Sequence, residues 1–297
     1  MNRGSAIPDE PNAGPETPDR RHLLELGRTF RSALDRHGYG FQYAVLKAVN
    51  QPRSNPFFCW IPWVQEFPVE VRGHSTRIDL VLRDLKKPRY LICECKRANP
   101  ATANWCFARA PWVAPPTVRE QSFGECIGLD AYGNLTSRLV VFLRTENIWQ
   151  VALEVRTGRK GDERGSSRGE IEEAATQVLR GFNGLIELFR QQRQFMSSGQ
   201  AVLIPVIFTT ARLFTTEVEL SEAALETGRI SADELEPTER PWLWYDYAQT
   251  PGIKHLVQPA GVSDDLRNLL YFEYVRRIAI VGARGIDDFL RSPDWEA

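Results

Sequence analysis

The stretch RIDLVLRDLKKPRYLICECKR, Arg77–Arg97, reads as two apolar strands joined by a short polar turn. Pro88 cannot donate to a strand ladder and restricts Lys87, so the turn centres on Lys86-Lys87. A hairpin turning there sets Asp79 opposite Glu94. Side chains alternate along a strand, so Glu94 and Lys96 share one face and Cys93 and Cys95 the other. Ionised groups in an apolar hairpin are costly unless they are paired or bind metal. Asp79, Glu94 and Lys96 are therefore the candidate functional residues.

Upstream, CWIPWVQEFPVEVRG reads as a strand, with Phe67, Val69 and Val71 of one parity and Glu66, Glu70 and Arg72 of the other. With the hairpin it predicts a three-strand meander. Before it stand two helices. Asp19 caps the first, and Leu23, Leu26, Phe30 and Ala33 form its apolar stripe. The second is FQYAVLKAVN, with Phe41, Ala44, Val45 and Ala48 inward. Residues 1–18 are rich in Pro, Gly, Asn and acid and read as a disordered tail.

Downstream, 98–167 reads as an insertion. It holds a loop-like aromatic segment, a strand pair RLVVFLR and IWQVALEVRTG, and the Gly-rich basic loop TGRKGDERGSSRG. Ser167 and Glu170 have capping-box spacing at the start of a helix whose apolar face runs from Ile171 to Ile186. AVLIPVIFTTARLFTTEVEL gives one or two buried strands, and 221–260 reads as mixed loop. DDLRNLLYFEYVRRIAIVGARGIDDFL predicts a helix, a short strand or turn, and a final helix. No flexible linker divides 19–297, which is expected to be one elaborated domain.

A net charge of −1 excludes a global field toward polyanions, so any basic surface is local. No apolar run reaches the ~20 residues of a membrane span, and no signal peptide pattern opens the chain. Five cysteines without framework spacing suggest a reduced, cytoplasmic setting, and Cys93 and Cys95 read as small core residues rather than zinc ligands.

Two carboxylates and an ammonium at one spot suit a hard divalent cation. Mg²⁺ takes few protein oxygens and keeps several waters. It acidifies a bound water and polarises a phosphate, while Lys96 can serve the attacking water or the transition-state charge. The spacing RID…ECK resembles the motif of the PD-(D/E)XK, or restriction-endonuclease-like, nuclease superfamily, with Ile78 in place of the usual Pro. The resemblance covers about 20–97 and 167–210. It implies an α/β fold, with a mixed central sheet flanked by helices and an insertion after the catalytic hairpin. It implies Asp79 and Glu94 as ligands of Mg²⁺ or Mn²⁺, with Lys96 catalytic, in a nuclease acting on nucleic acid, most naturally DNA, in restriction, defence or repair. A homodimer is among the assemblies it allows.

Many members carry a Glu on the first core helix. Gln42 occupies the matching helix here, and Glu66 or Glu70 can supply a carboxylate instead. A Gln on the helix after the motif corresponds to Gln177, with Gly181 where an aromatic is expected. Arg159, Lys160 and Arg164 of the basic loop are candidate phosphate contacts, against a solvated loop whose Asp162 and Glu163 cancel its charge. Two rival readings stand beside the nuclease. One is an inactive module of the same fold that binds nucleic acid or a protein partner; the other is a structural protein with no nucleic-acid role.

Overall fold

The structure, a computed structural model, describes residues 18–51, 58–110, 121–130, 132, 134–155, 169–191, 200–219, 223–230, 236–248, 275–292 and 295. The chain divides into two compact units, 1–40 and 41–297. The first contains helix α1, Pro18–Arg36, with Asp19 in its first turn. Leu23, Leu26 and Phe30 of the apolar stripe are exposed. Gly38, at φ +77°, breaks the helix where an L-residue would be strained. Helix α2, Tyr39–Asn50, follows. Its buried face is Gln42, Val45 and Val49, rotated from the expected one: Ala44 points to solvent, and a polar Gln points inward.

Within 41–297 the described residues form a mixed α/β arrangement: a large mixed sheet flanked by few helices. Strands β1 (Trp60–Val71), β2 (His74–Asp84) and β3 (Arg89–Lys96) make the expected antiparallel meander. The β1–β2 turn has Arg72 at φ +50° and Gly73 at φ +80°, the two left-handed residues that a tight hairpin needs to match strand twist. In the second hairpin Leu80 pairs with Cys93 and Leu82 with Leu91, the register that a turn at Lys86-Lys87 requires.

The next strands are β4 (Asn104–Arg109), β5 (Gln121–Leu129), β6 (Leu135–Arg144), β7 (Ile148–Trp149) and β8 (Val151–Val155). Helix α3 (Gly169–Gln191) leads to β9 (Gln200–Thr209), which lies parallel to β3. Strands β10 (Arg212–Glu219), β11 (Thr238–Arg240), β12 (Trp242–Ala248) and β13 (Val275–Gly282) precede the short helix α4 (Ile286–Leu290). The main sheet runs β1-β2-β3-β9-β13-β12-β7, with β5 on the first half of β9 and β6 beyond it. A smaller sheet runs β11-β10-β4-β8.

The two faces of the main sheet carry separate cores. Val45 and Val49 of α2 and Phe289 and Leu290 of α4 share one with Leu80, Leu91, Cys93, Cys95 and Phe208. Cys93 and Cys95 are thus core residues, as expected. On the other face α3 buries Ala174, Val178 and Leu179 beside Trp105, Phe107 and Ile280, then Phe182 and Leu185 against Val69, Val81 and Ile92. Burying side chains of this size stabilises by roughly 1.5–3 kcal/mol each.

Two expectations change. RLVVFLR does not pair with the segment after it: β6 pairs with β5, β7 with β12 and β8 with β4. Residues read as an insertion therefore contribute strands to both sheets. The 221–260 region contains β11 and β12, whose Leu243 and Trp244 are fully buried. VRRIAIVG forms β13, in the place of the expected short strand or turn, and the final helix follows as α4; residues 264–274, expected as the helix before them, lie outside the described residues. At the start of α3, Glu170 accepts the Asn99 N–H at 3.1 Å, and Glu154 of β8 accepts the Ile171 amide at 2.9 Å. Ser167 lies outside the described residues. No helix among the described residues is long and apolar enough to cross a membrane.

Candidate functional site

Asp79 stands where two ladders lapse at once. On its β3 side, pairing ends with Leu80 opposite Cys93, and the next rung sets Asp79 opposite Glu94. There the Asp79 side chain replaces a backbone partner: Oδ2 accepts the Cys95 N–H at 2.8 Å. On its β1 side, Gln65 pairs with Leu80 and Phe67 with Ile78, so Glu66 faces Asp79, but Glu66 leaves the ladder with φ +48°. A non-glycine residue in the left-handed region costs of order 1–3 kcal/mol and persists only where its surroundings fix it. Gln42 does the fixing. Its Nε2 donates to Glu66 Oε1 at 2.6 Å and to the Asp79 carbonyl at 3.0 Å, which also settles which end of the amide is the nitrogen.

Glu94 continues the apolar run of β3 and is only 9% exposed. Two positions on, Lys96 Nζ lies 2.8 Å from Glu173 Oε2 of α3. Gln177, one turn along α3, donates to Glu173 at 3.5 Å. Arg77 approaches Glu66 at 3.6 Å from the solvent side.

The electrostatics follow from crowding. Burial pushes the Asp79 carboxyl up to about 6; the Cys95 amide opposes this and the nearby Glu66 adds to it. Burial raises Glu94 well above the ordinary range; Asp79, Glu173 and Glu66 raise it further, and Lys96 pulls it back. Four carboxylates therefore feel one another around one ammonium, and a second cation would relieve them.

The structure brings together Asp79, Glu94, Lys96, Glu66 and Gln42, with Gln177 linked through Glu173. Glu70 is not among them. It pairs with Ser75 near the far end of β1, four residues from Glu66, or about 13 Å along the strand. Arg159, Lys160 and Arg164 lie outside the described residues. Glu173 was invisible to spacing: it sits 77 positions from the lysine it holds, on an exposed part of a helix just past the first-turn acids Glu170 and Glu172. Among the described residues no group of three or more His, Cys, Asp and Glu side chains is assembled closely enough to hold a metal ion. The nearest approach to a donor set is the Asp79–Glu94 pair with Glu66 beside it.

No protein-family model matches the chain, and no curated protein and no solved structure is significantly similar to it.

Proposed function

We propose that the chain is a metal-dependent nuclease with a restriction-endonuclease-like core, hydrolysing phosphodiester bonds of nucleic acid, DNA before RNA. The observation that carries the reading is the buried juxtaposition of Asp79 and Glu94 with Lys96 on the same strand face. The element order supports it: a helix, a three-strand meander, a crossover containing a helix, and a strand parallel to the last of the meander. Glu66, turned toward Asp79 by its backbone and held by Gln42, stands in for the helix carboxylate that this chain lacks.

The donor set fits a hard ion. Two acids whose charged forms burial and neighbouring carboxylates disfavour gain from a divalent cation, and Mg²⁺ is commonly bound through one or two carboxylates plus waters. Asp79 and Glu94 would hold Mg²⁺ or Mn²⁺, which when bound supplies charge neutralisation and an acidified water. The chain's own residues do the rest. The Cys95 amide orients Asp79, and Gln42 orients Glu66. Glu173 anchors the Lys96 ammonium at the mouth of the pair, where it orients the attacking water or meets the charge developing on phosphorus.

One observation favours a second reading. Lys96 is already held by Glu173, and a lysine kept there would leave a module that binds nucleic acid or a protein partner without cutting. Incubation of the protein with single- and double-stranded DNA and RNA, with Mg²⁺ or EDTA, decides between them. Cleavage should need Mg²⁺ or Mn²⁺. In Lys96→Ala it should fall by about 10²-fold or more, with affinity for nucleic acid unchanged within a few-fold. Cleavage that persists in EDTA, or in both Lys96→Ala and Asp79→Asn, would sink the nuclease reading.

A further inference from the structure

A second basic feature lies beside the acid cluster, and neither the motif nor the basic loop accounts for it. The parallel strands β3, β9 and β13 end level with one another: Lys96 pairs with Thr209, and Thr209 with Gly282. Just beyond, the Thr210 N–H donates to the Lys96 carbonyl at 3.2 Å, and Thr210 Oγ1 accepts the Ala98 N–H at 2.9 Å. Thr210 also lines a cleft of about 450 Å³ that opens outside the carboxyl ends of β9 and β13. In open α/β sheets the crevice outside the carboxyl ends of the strands is where ligands bind.

The floor of this cleft is small and backbone-rich. A Cβ on Gly285 would come within 2.2 Å of the Pro241 carbonyl oxygen, so only glycine lets the β11–β12 turn close over it. The walls carry Arg212, Arg240 and Arg284 against one carboxylate among the lining residues, Glu239. Arg212 is held in position: its guanidinium lies 4.9 Å from the Phe214 ring centroid and grips Glu239 with Nε at 3.1 Å and Nη2 at 2.7 Å. Arg240 Nε donates to Thr215 Oγ1 at 3.2 Å. Arg284 is exposed, and with Arg212 it lowers the Glu239 carboxyl. Guanidinium forks are the side chains best matched to phosphate oxygens, and the bidentate grip on Glu239 shows one fork already engaging an oxyanion.

We propose that this cleft holds a backbone phosphate of the bound nucleic acid, away from the phosphate that reacts at Asp79 and Glu94. The proposal rests on the nuclease reading. From β3 to β13 is two strand spacings, about 10 Å, close to the rise of three base steps at about 3.4 Å each. The cleft would thus fix the strand's path over the ends of β9 and β13 while Lys96 faces the reacting group.

The test uses a short fluorescent DNA duplex bound by full-length protein carrying Lys96→Ala, titrated with salt. Adding Arg284→Gln should weaken binding several-fold and reduce the slope of log affinity against log salt by about 0.9, one phosphate contact. Adding Glu239→Gln should act in the opposite direction and tighten binding, which a merely structural pair would not do. Inorganic phosphate, titrated into wild type, should shift the Nε–H resonances of Arg212 and Arg240. Identical affinities and slopes in all three proteins would overturn the proposal, and wild-type cleavage would then leave the nuclease reading intact. If wild type neither binds nor cuts nucleic acid at low salt, both fall, and phosphate-induced shifts would then mark a site for a small free anion instead.

Discussion

Asp79 illustrates how one carboxylate can cost stability and still be kept. Its pKa of about 6 exceeds the ordinary 3.8, so between those values the folded chain binds a proton that the unfolded chain has released. Stability from this group is therefore present at low pH and lost as pH rises through about 6. The shift corresponds to about 3 kcal/mol in total, roughly half of it falling between pH 7.5 and pH 5. Urea unfolding in EDTA should show Asp79→Asn to be more stable than wild type at pH 7.5, with the gap narrowing at pH 5. A gap that widens on acidification would contradict the assigned burial. Glu66 belongs to the same scale. Its left-handed backbone is tolerated because Gln42 and Arg77 grip its carboxylate, so the strain and the charge crowding occupy one rung of the sheet.

At the scale of elements, the close approach of α3 to the meander sets the distance from Glu173 to Lys96. A Cβ on Gly184 would meet Val69 Cγ2 at 2.5 Å, and one on Gly181 would meet Ile78 Cγ1 at 2.8 Å. Gly181 therefore stands where a larger residue has no room. Gly184→Ala should destabilise by about 1–2 kcal/mol despite its better helix propensity, because β-branched Val69 cannot swing away. Gly27→Ala in α1, where nothing lies within 4 Å, should instead gain up to about 1 kcal/mol of helix stability. Chemical denaturation and circular dichroism read the two signs, and a stabilising Gly184→Ala would refute the close packing. The same elements show what was legible in the sequence. The β2–β3 register followed from one Pro and one polar dipeptide, because hairpin pairing is local. The inward turn of Gln42, the arrival of Glu173 and the pairing of β7 with β12 all depend on contacts between distant segments that leave no spacing signal. Strand β13 falls where a short strand or turn was expected, but the partners of its buried cations Arg276 and Arg277 come from distant segments. In the fold they meet Glu125 at 2.8 Å and Asp246 at 2.6 Å, and burial pulls the Arg276 guanidinium down to about 10.

Across the whole molecule, a net charge of −1 means that attraction to a polyanion has to be concentrated in patches while the acid cluster repels it. A divalent cation at Asp79 and Glu94 would reverse the sign of that spot and stabilise the fold by mass action. Millimolar Mg²⁺ at pH 7.5 should raise the Tm by several degrees, at roughly 2–4 °C per kcal/mol, and Glu94→Gln should remove the rise. Equal shifts in both proteins would place the ion elsewhere. The sheet's connectivity also bears on how the chain is made. Strand β3 finishes at Lys96, but its parallel neighbour β9 begins only at Gln200, 104 positions later. At a synthesis rate of about 5–20 residues per second, that interval lasts roughly 5–20 s. During translation the β1–β3 meander can close within itself, while the far edge of β3, apolar from Tyr90 to Cys93, waits for a partner that the ribosome has not yet made. The nascent chain therefore carries a sticky β-edge for seconds, a natural point for chaperone capture or aggregation.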